Sequence, residues 1–410
     1  MKSLNNIRRS IQQAVQSPSL RGGLFYAALW GVFGVFSPFM NLELSRRGFS
    51  GLEIGTAGSV RAAVILVMSI IFSRIADRKS IRVRMLRWVL ILTAGAVTLF
   101  SFPRTFLFLI IAIIFLAIWQ SPVDSLANSI LVRMAGRYHV DYGMMTFWGA
   151  VSYAITNLIG GFLWEKIGFS WIYIVAGGGY FLVSFVASVL EEPVKEEPQT
   201  TEITAEVQSS PQGKTFKPIV IFFLATYFVF SLAFFNAFGF TANILDMRGA
   251  NEFVIGLVGT LVGVGGMVVR RGNRALVAKT SLPTAMILGI LLGIIPILVF
   301  GWVQNVFILL LVSTLRGASW GMFSLCAIRF IDQQANVENA STLQSSLIMI
   351  NTFSNIIAST LSGYLFDTNL QLIFMISTIC ALVALGILLI VRWMERKGAQ
   401  QEKISLVTSA

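Results

Sequence analysis

Charge is what this sequence most conspicuously lacks: 12% of its 410 residues are Asp, Glu, Lys or Arg, about half the share common in soluble domains. With 56% of residues hydrophobic and a mean hydropathy of +0.77, a set of soluble domains is excluded. There is no Gly-X-Y period and no long charged heptad array, and 33 Phe are too many for a disordered chain, so collagen, coiled-coil and disordered classes fall as well. Cysteine is nearly absent: Cys326 and Cys380 each lie in an apolar run and suggest no disulfide framework. The single histidine, His139, falls in a loop and reads as solvated. No His/Cys/acid cluster has metal-ligand spacing and no nucleophile stands beside a base, so neither metal, cofactor nor enzymatic activity is expected. An integral membrane protein remains.

Long apolar runs are what the chain has instead. A hydrocarbon core of about 30 Å needs roughly 20 apolar residues per helix. Charged and Pro/Gly punctuation cuts the chain into twelve such segments: 23–43, 54–73, 85–102, 105–131, 143–164, 168–190, 217–241, 253–270, 281–301, 304–331, 341–365 and 370–392. Runs such as Phe106 to Ile118 do not alternate, which excludes a membrane β-barrel. The apolar start has no small-residue cleavage site and reads as a retained first span. Before it, Leu4, Ile7, Ile11 and Val15 recur at helical spacing, the pattern of an amphipathic surface helix over 1–21. The expected domains are therefore this N-terminus, a six-helix bundle over 22–190, a linker over 191–216, a second bundle over 217–392 and a tail over 393–410. The linker is rich in Glu and Pro and reads as disordered. Its Gly213-Lys214-Thr215 imitates a Walker A ending, but Gln208 stands where the first Gly is needed, so ATP binding is discarded.

Nearly all Lys and Arg outside the spans lie in the N-terminus, the even-numbered loops and the tail; Arg46, Arg47, Arg104, Lys166 and Arg248 are the exceptions. Both termini and the linker are therefore expected on the cytoplasmic side. The net charge of +12 is explained by topology, and nucleic-acid binding needs no invoking.

Shifting the chain by about 201 residues superposes its halves. Arg47-Gly48 falls on Arg248-Gly249, Ile54-Gly55 on Ile255-Gly256, and Ala117 and Trp119 on Ala318 and Trp320. One residue further on, Gly161-Phe162-Leu163-Trp164-Glu165 meets Gly363-Tyr364-Leu365-Phe366-Asp367. Parallel six-helix repeats are a transporter's architecture, with a site near the midplane. The loop Ser73-Arg74-Ile75-Ala76-Asp77-Arg78-Lys79-Ser80-Ile81-Arg82 then resembles the G-x-L-x-D-R-x-G-R-R signature of the major facilitator superfamily, departing at Ser73, Ser80 and Ile81. Tyr142-Gly143-Met144-Met145-Thr146-Phe147-Trp148-Gly149 resembles an element of the branch containing lactose permease and the nucleoside–proton symporters. Met144 and Thr146 replace its two arginines, and Arg316 and Ser319 stand where lactose permease has His and Glu. That permease's sugar and proton groups are therefore not carried over. The drug-antiporter motif of span 5 is also incomplete, since Thr156 to Gly161 lacks its proline.

Ionisable residues inside a span are costly, and each is a functional candidate. Asp124 follows Pro122 in span 4 with Gln120 and Asn128 on its face, and as the one clearly intramembrane acid it is the proton-coupling candidate. Arg316, near the middle of span 10, is the candidate for an anionic substrate group; Arg61, nearer the end of span 2, has either a structural or a functional role. Tyr26 and Trp30, Tyr227 and Asn236, Trp119 and Trp320, and Asn351 and Asn355 supply aromatic and amide groups at helical spacing as substrate contacts. Glu43 and Glu53, at outer span ends, read as solvated. The resemblance implies a cytoplasmic gate at Asp77, Arg78 and Arg82.

The expected protein is a monomeric, proton-coupled symporter in a bacterial cell membrane, moving a small organic solute with a polar or anionic end between spans 1, 4, 7 and 10. The alternatives are an exporter of drugs or amphipathic lipids on the same fold, and a receptor or scaffold that no longer transports.

Overall fold

The computed structural model describes residues 17–79, 82–191, 218–335 and 340–408. Residues 1–16 of the expected N-terminal amphipathic helix and the linker beyond Glu191 lie outside these described residues, while 18–21 open the first spanning helix. Regular structure within them is helical and falls into twelve segments. In chain order they are α1 (Pro18–Arg46), α2 (Gly51–Lys79), α3 (Arg82–Leu99), α4 (Phe106–Tyr138), α5 (Tyr142–Ile167) and α6 (Phe169–Val189), then α7 (Pro218–Met247), α8 (Glu252–Lys279), α9 (Leu282–Trp302), α10 (Val306–Gln334), α11 (Ala340–Thr368) and α12 (Leu370–Thr408).

Local chemistry sets the boundaries. Pro18 opens α1, where a missing N–H leaves nothing unsatisfied. The Asp141 carboxylate accepts from the Gly143 N–H at 2.8 Å to start α5, and Asn305 accepts from Phe307 and Ile308 at 2.9 and 3.3 Å to start α10. Among the described residues nine segments are long and apolar enough to cross a bilayer. The other three are α3, with Arg82, Arg84 and Arg87 in its first turns, and α5 and α11, interrupted by hydroxyl and amide side chains. Side chains such as Leu107, Leu182, Val268 and Phe307 are 65–72% exposed, an apolar surface that a bilayer covers.

Contacts divide the chain into two compact units. Unit one comprises Met1–Phe49, Val60–Gln199 and Ala242–Gly263; unit two comprises Ser50–Ser59, Thr200–Thr241 and Val264–Ala410. In unit one α1 packs along α5 and α6, and α3 on α4 and α6. In unit two α7 packs along α11 and α12, and α9 on α10 and α12. Each pairing in the first set has its counterpart six helices later, so the repeat seen in the sequence is a repeat of packing.

Two finer features show the repeat at single residues. Helix α1 tightens into a 3-10 turn at Ser37–Phe39 around Pro38, and α7 breaks at Gly239 and Phe240. Both then end in the same cap. Gly48 has φ +93° with the Phe49 N–H donating to Leu44 O at 3.2 Å, and Gly249 has φ +81° with the Ala250 N–H donating to Leu245 O at 3.0 Å. Glycine enters that region without steric cost, which is why the two Arg-Gly pairs coincide in the sequence.

Small residues also set helix distances. In unit two a Cβ on Gly55 of α2 would lie 2.2 Å from the Ser359 carbonyl oxygen, and in unit one a Cβ on Gly256 of α8 would lie 2.4 Å from that of Asn157. Asp367 then caps α2, its two oxygens accepting from the Gly51 and Leu52 N–H groups at 2.7 and 2.8 Å. Because the neighbour is backbone and cannot rotate aside, Gly55→Ala is expected to destabilise the protein by about 1–3 kcal/mol. Gly95→Ala, with nothing within 4 Å of its Cβ, is the control. Melting of the detergent-purified variants checks this, and equal midpoints for the two would refute it.

The first residue of the linker, Glu191, is anchored in unit one. It accepts from the Tyr138 hydroxyl and from Arg21 Nη1 at 2.8 Å, with Arg137 at 3.9 Å. The Tyr138 hydrogen bond, followed by the Arg21 contact, holds its carboxyl below the usual Glu value. A depressed folded value adds stability that is complete above the ordinary one and lost as pH falls through the depressed one. The carboxylate is 34% exposed, so the contribution is under about 1 kcal/mol. Glu191→Gln is thus expected to melt slightly earlier than the parent at neutral pH, with the difference closing in acid; melts across the acid range measure it.

Candidate functional site

The site grows from one face of α4. Pro122 has no N–H to give the Ile118 carbonyl, and the Ser121 hydroxyl donates to that oxygen instead at 3.2 Å. Gln120, Asp124 and Asn128 follow at four-residue spacing on one face. Opposite them in unit one stand Trp30 and Phe33 of α1, Arg61 of α2 and Tyr180 of α6, and these line, with Gln120 and Asp124, a partly open cavity of ≈ 90 Å³.

Gln120 organises its polar wall. Its Oε1 accepts from Arg61 Nη2 at 2.7 Å, and its Nε2 donates to the Tyr180 hydroxyl at 3.5 Å. Arg61 Nε is buried with no hydrogen-bond partner. Asp124 reaches the cavity, and its charge and that of Arg61 act on each other, yet among the described residues no ion pair joins them. One turn further along α4, the Tyr26 and Tyr142 hydroxyls both donate to Asn128 Oδ1, the latter at 2.8 Å.

The remaining candidates on α1 and α4 are aromatic. Trp30 meets Phe33 and Tyr153 edge-on at 5.6 and 6.2 Å between ring centroids. Trp119 packs against Phe72 and Phe115, and its indole Nε1 is buried without a partner.

Unit two holds a separate cluster. Arg316 Nη1 donates to Thr241 Oγ1 at 3.0 Å, and its guanidinium lies 4.3 Å from the centre of the Phe238 ring. Trp320 stacks on Phe234 at 4.8 Å, Tyr227 stacks on Phe323 at 5.6 Å, and Asn351 Nδ2 donates to the Tyr227 hydroxyl at 3.3 Å. Asn355 accepts from the Ser359 hydroxyl, and Asn236 is buried between α7 and α12, donating to Ile373 O and Ser377 Oγ at 3.1 and 2.9 Å. Arg82 is buried at the start of α3, while the side chains of Asp77 and Arg78 lie outside the described residues.

Two groups escaped the sequence reading. Tyr180 was not singled out, although a hydroxyl within a span needs a partner as a carboxylate does. Glu43, expected to be solvated, is 4% exposed and ion-paired with Arg47. Arg47 Nη1 further donates to Phe100 O and Ser101 O at 3.0 and 3.1 Å. The α3–α4 loop covers both, which position at a span end does not reveal.

A multi-pass helical membrane protein with a packing repeat and an intramembrane cavity lined by charged and amide side chains has the organisation of a secondary transporter. The MFS_1 like family model matches residues 20–376, and the chain belongs to that family. It is 20% identical over 391 residues to a maltose permease of Geobacillus stearothermophilus, covering 92% of this chain and 96% of the relative. To the uncharacterized transporter YwbF of Bacillus subtilis (strain 168) it is 22% identical over 359 residues, covering 83% and 87%. The crystal structure of the nucleoside transporter NupG superposes with a TM-score of 0.72 at 13% identity, covering 92% of this chain and 99% of that one, which shows a common fold. The chain is thus a membrane transporter of the major facilitator type.

Proposed function

We propose that this transporter couples the proton gradient to the movement of a small organic solute with a polar or anionic end, by alternating access, as a monomer in a bacterial cell membrane with both termini cytoplasmic. The observation that carries the reading is Asp124, a carboxylate within a span that opens on a cavity and has no ion-pair partner among the described residues. A short acid at such depth cannot snorkel, and gaining and losing a proton is how it changes charge there. Tyr26, Trp30, Trp119, Gln120 and Asn128 contribute solute contacts in unit one, and Arg316, Tyr227, Trp320, Asn351 and Asn355 in unit two, whereas Asn236, expected among them, is buried and ties α7 to α12 instead. Asp77, Arg78 and Arg82 act as the cytoplasmic gate, as the loop resemblance implies. The relatives are named for maltose and nucleosides, which supports a small solute. Purified protein in proteoliposomes with an imposed pH gradient is expected to accumulate a member of a panel of sugars, nucleosides and aromatic acids, and to lose the accumulated solute when a protonophore is added. Accumulation indifferent to the protonophore would refute the coupling.

A further inference from the structure

We infer that the cavity between Arg61 and Asp124 is a seat for a carboxylate on the solute, held by Arg61 when Asp124 carries a proton, so that one proton enters with each anion. The inference deepens the proton-coupled reading and rests on it.

Three observations carry it. Arg61 has one hydrogen-bond partner among the described residues, Gln120 at 2.7 Å, and its Nε is buried with none. A guanidinium presents five N–H donors in a rigid fork that matches a carboxylate, so most of its capacity is unused. Gln120 in turn reaches the Tyr180 hydroxyl at 3.5 Å, a tie that holds the guanidinium beside α4 and α6 without closing it onto Asp124. Arg316 differs, with its guanidinium hydrogen-bonded to Thr241 and lying over the Phe238 ring.

The charges then decide the order of events. Arg61 of α2, Tyr180 of α6 and Tyr26 of α1 are the titratable or charged groups that act on Asp124, and Arg61 is the one that carries charge at neutral pH. With Asp124 ionised, an incoming carboxylate meets a like charge across the cavity. With one proton added to Asp124, the repulsion is gone and its O–H becomes a donor toward the ligand, while Arg61 and the anion balance each other. By linkage, the anion favours the proton as much as the proton favours the anion. Trp30, Phe33, Leu29 and Ile65 on the cavity wall suit an apolar or aromatic body on the acid.

The probes are 3-phenylpropanoate and its neutral amide, with maltose and uridine as neutral solutes. Binding to the purified full chain is followed by tryptophan fluorescence at mildly acidic and mildly alkaline pH. The acid is expected to bind about ten-fold tighter than the amide at the lower pH, and to lose about ten-fold at the higher. Arg61→Gln should reduce the acid to the level of the amide. Asp124→Asn should keep the preference for the acid but flatten its pH dependence. Should Arg61→Gln fail to fold, Arg61→Lys, which keeps the charge and loses the fork, is expected to bind the acid about ten-fold more weakly than the parent; unchanged affinity overturns the inference. So does equal or absent binding of acid and amide by the parent protein, or an acid preference that survives Arg61→Gln. Gradient-driven accumulation of maltose or uridine without carboxylate binding overturns the anion seat and leaves proton coupling standing. Carboxylate binding as expected, with no gradient-driven accumulation of any probe, overturns the proton-coupled reading instead.

Discussion

Asp124→Asn is expected to lower accumulation driven by a pH gradient by about two orders of magnitude or more, while exchange of solute across vesicles without a gradient continues. Asparagine keeps the size of the side chain and its place on the α4 face, so the cavity and the Gln120 contacts with Arg61 and Tyr180 are undisturbed. What is removed is the ability to take up and release a proton, and well-placed proton-transfer groups typically contribute about 10²–10⁴-fold to the rates they assist. Paired assays on one vesicle preparation separate the two processes. If the variant still concentrates solute against its gradient, Asp124 is not the coupling group. If exchange is lost as well, the residue is needed for binding and the coupling assignment fails in a different way.

The largest expected effect on stability lies elsewhere, at Arg47. Its side chain is 10% exposed and that of Glu43 5%, and Arg47 also binds the Phe100 and Ser101 carbonyls and lies 5.2 Å from the centre of the Tyr173 ring. Arg47→Met fills much of the same space but leaves the buried Glu43 carboxylate without its paired cation and two carbonyls without their donor. Breaking a buried pair on one side costs about 3–5 kcal/mol, whereas removing both charges together is often nearly neutral. Arg47→Met alone should therefore melt well below the parent, and Glu43→Gln with Arg47→Met should recover most of the difference. Thermal melts of the four proteins in the cycle measure the coupling; a double variant no more stable than Arg47→Met would show that the ion pair is not what holds this corner.

The sequence and the structure agree where information is carried along one helix and part where it lies between helices. Twelve helical segments were legible because apolar runs and their punctuation are local properties. The family was legible because the Asp77-Arg78 loop and the Tyr142 to Gly149 element are short contiguous patterns. Gln120, Asp124 and Asn128 were readable as one face of α4 for the same reason. That Arg61 of α2 meets Gln120, and that Tyr180 of α6 completes the wall, depends on how three helices pack, and no spacing in the chain encodes it. Asn236 teaches the complementary lesson. An amide at helical spacing inside a span looks alike whether it faces a solute or, as here, donates to α12 at Ile373 and Ser377.

The recurring cap at Gly48 and Gly249 shows how far the internal repeat reaches and where it stops. At the same offset that aligns those glycines, Arg61, Gln120 and Asp124 correspond to Val262, Gly321 and Leu325. The backbone turns recur in both halves, whereas these three polar side chains stand in the first half alone. At Gly321 the second half is fitted for close packing instead, since a Cβ there would lie 3.3 Å from the Gly266 backbone. The two halves are thus alike in scaffold and unlike in the side chains the scaffold presents, and a bulky residue placed at 321 would have to displace a neighbouring helix before it could face any solute.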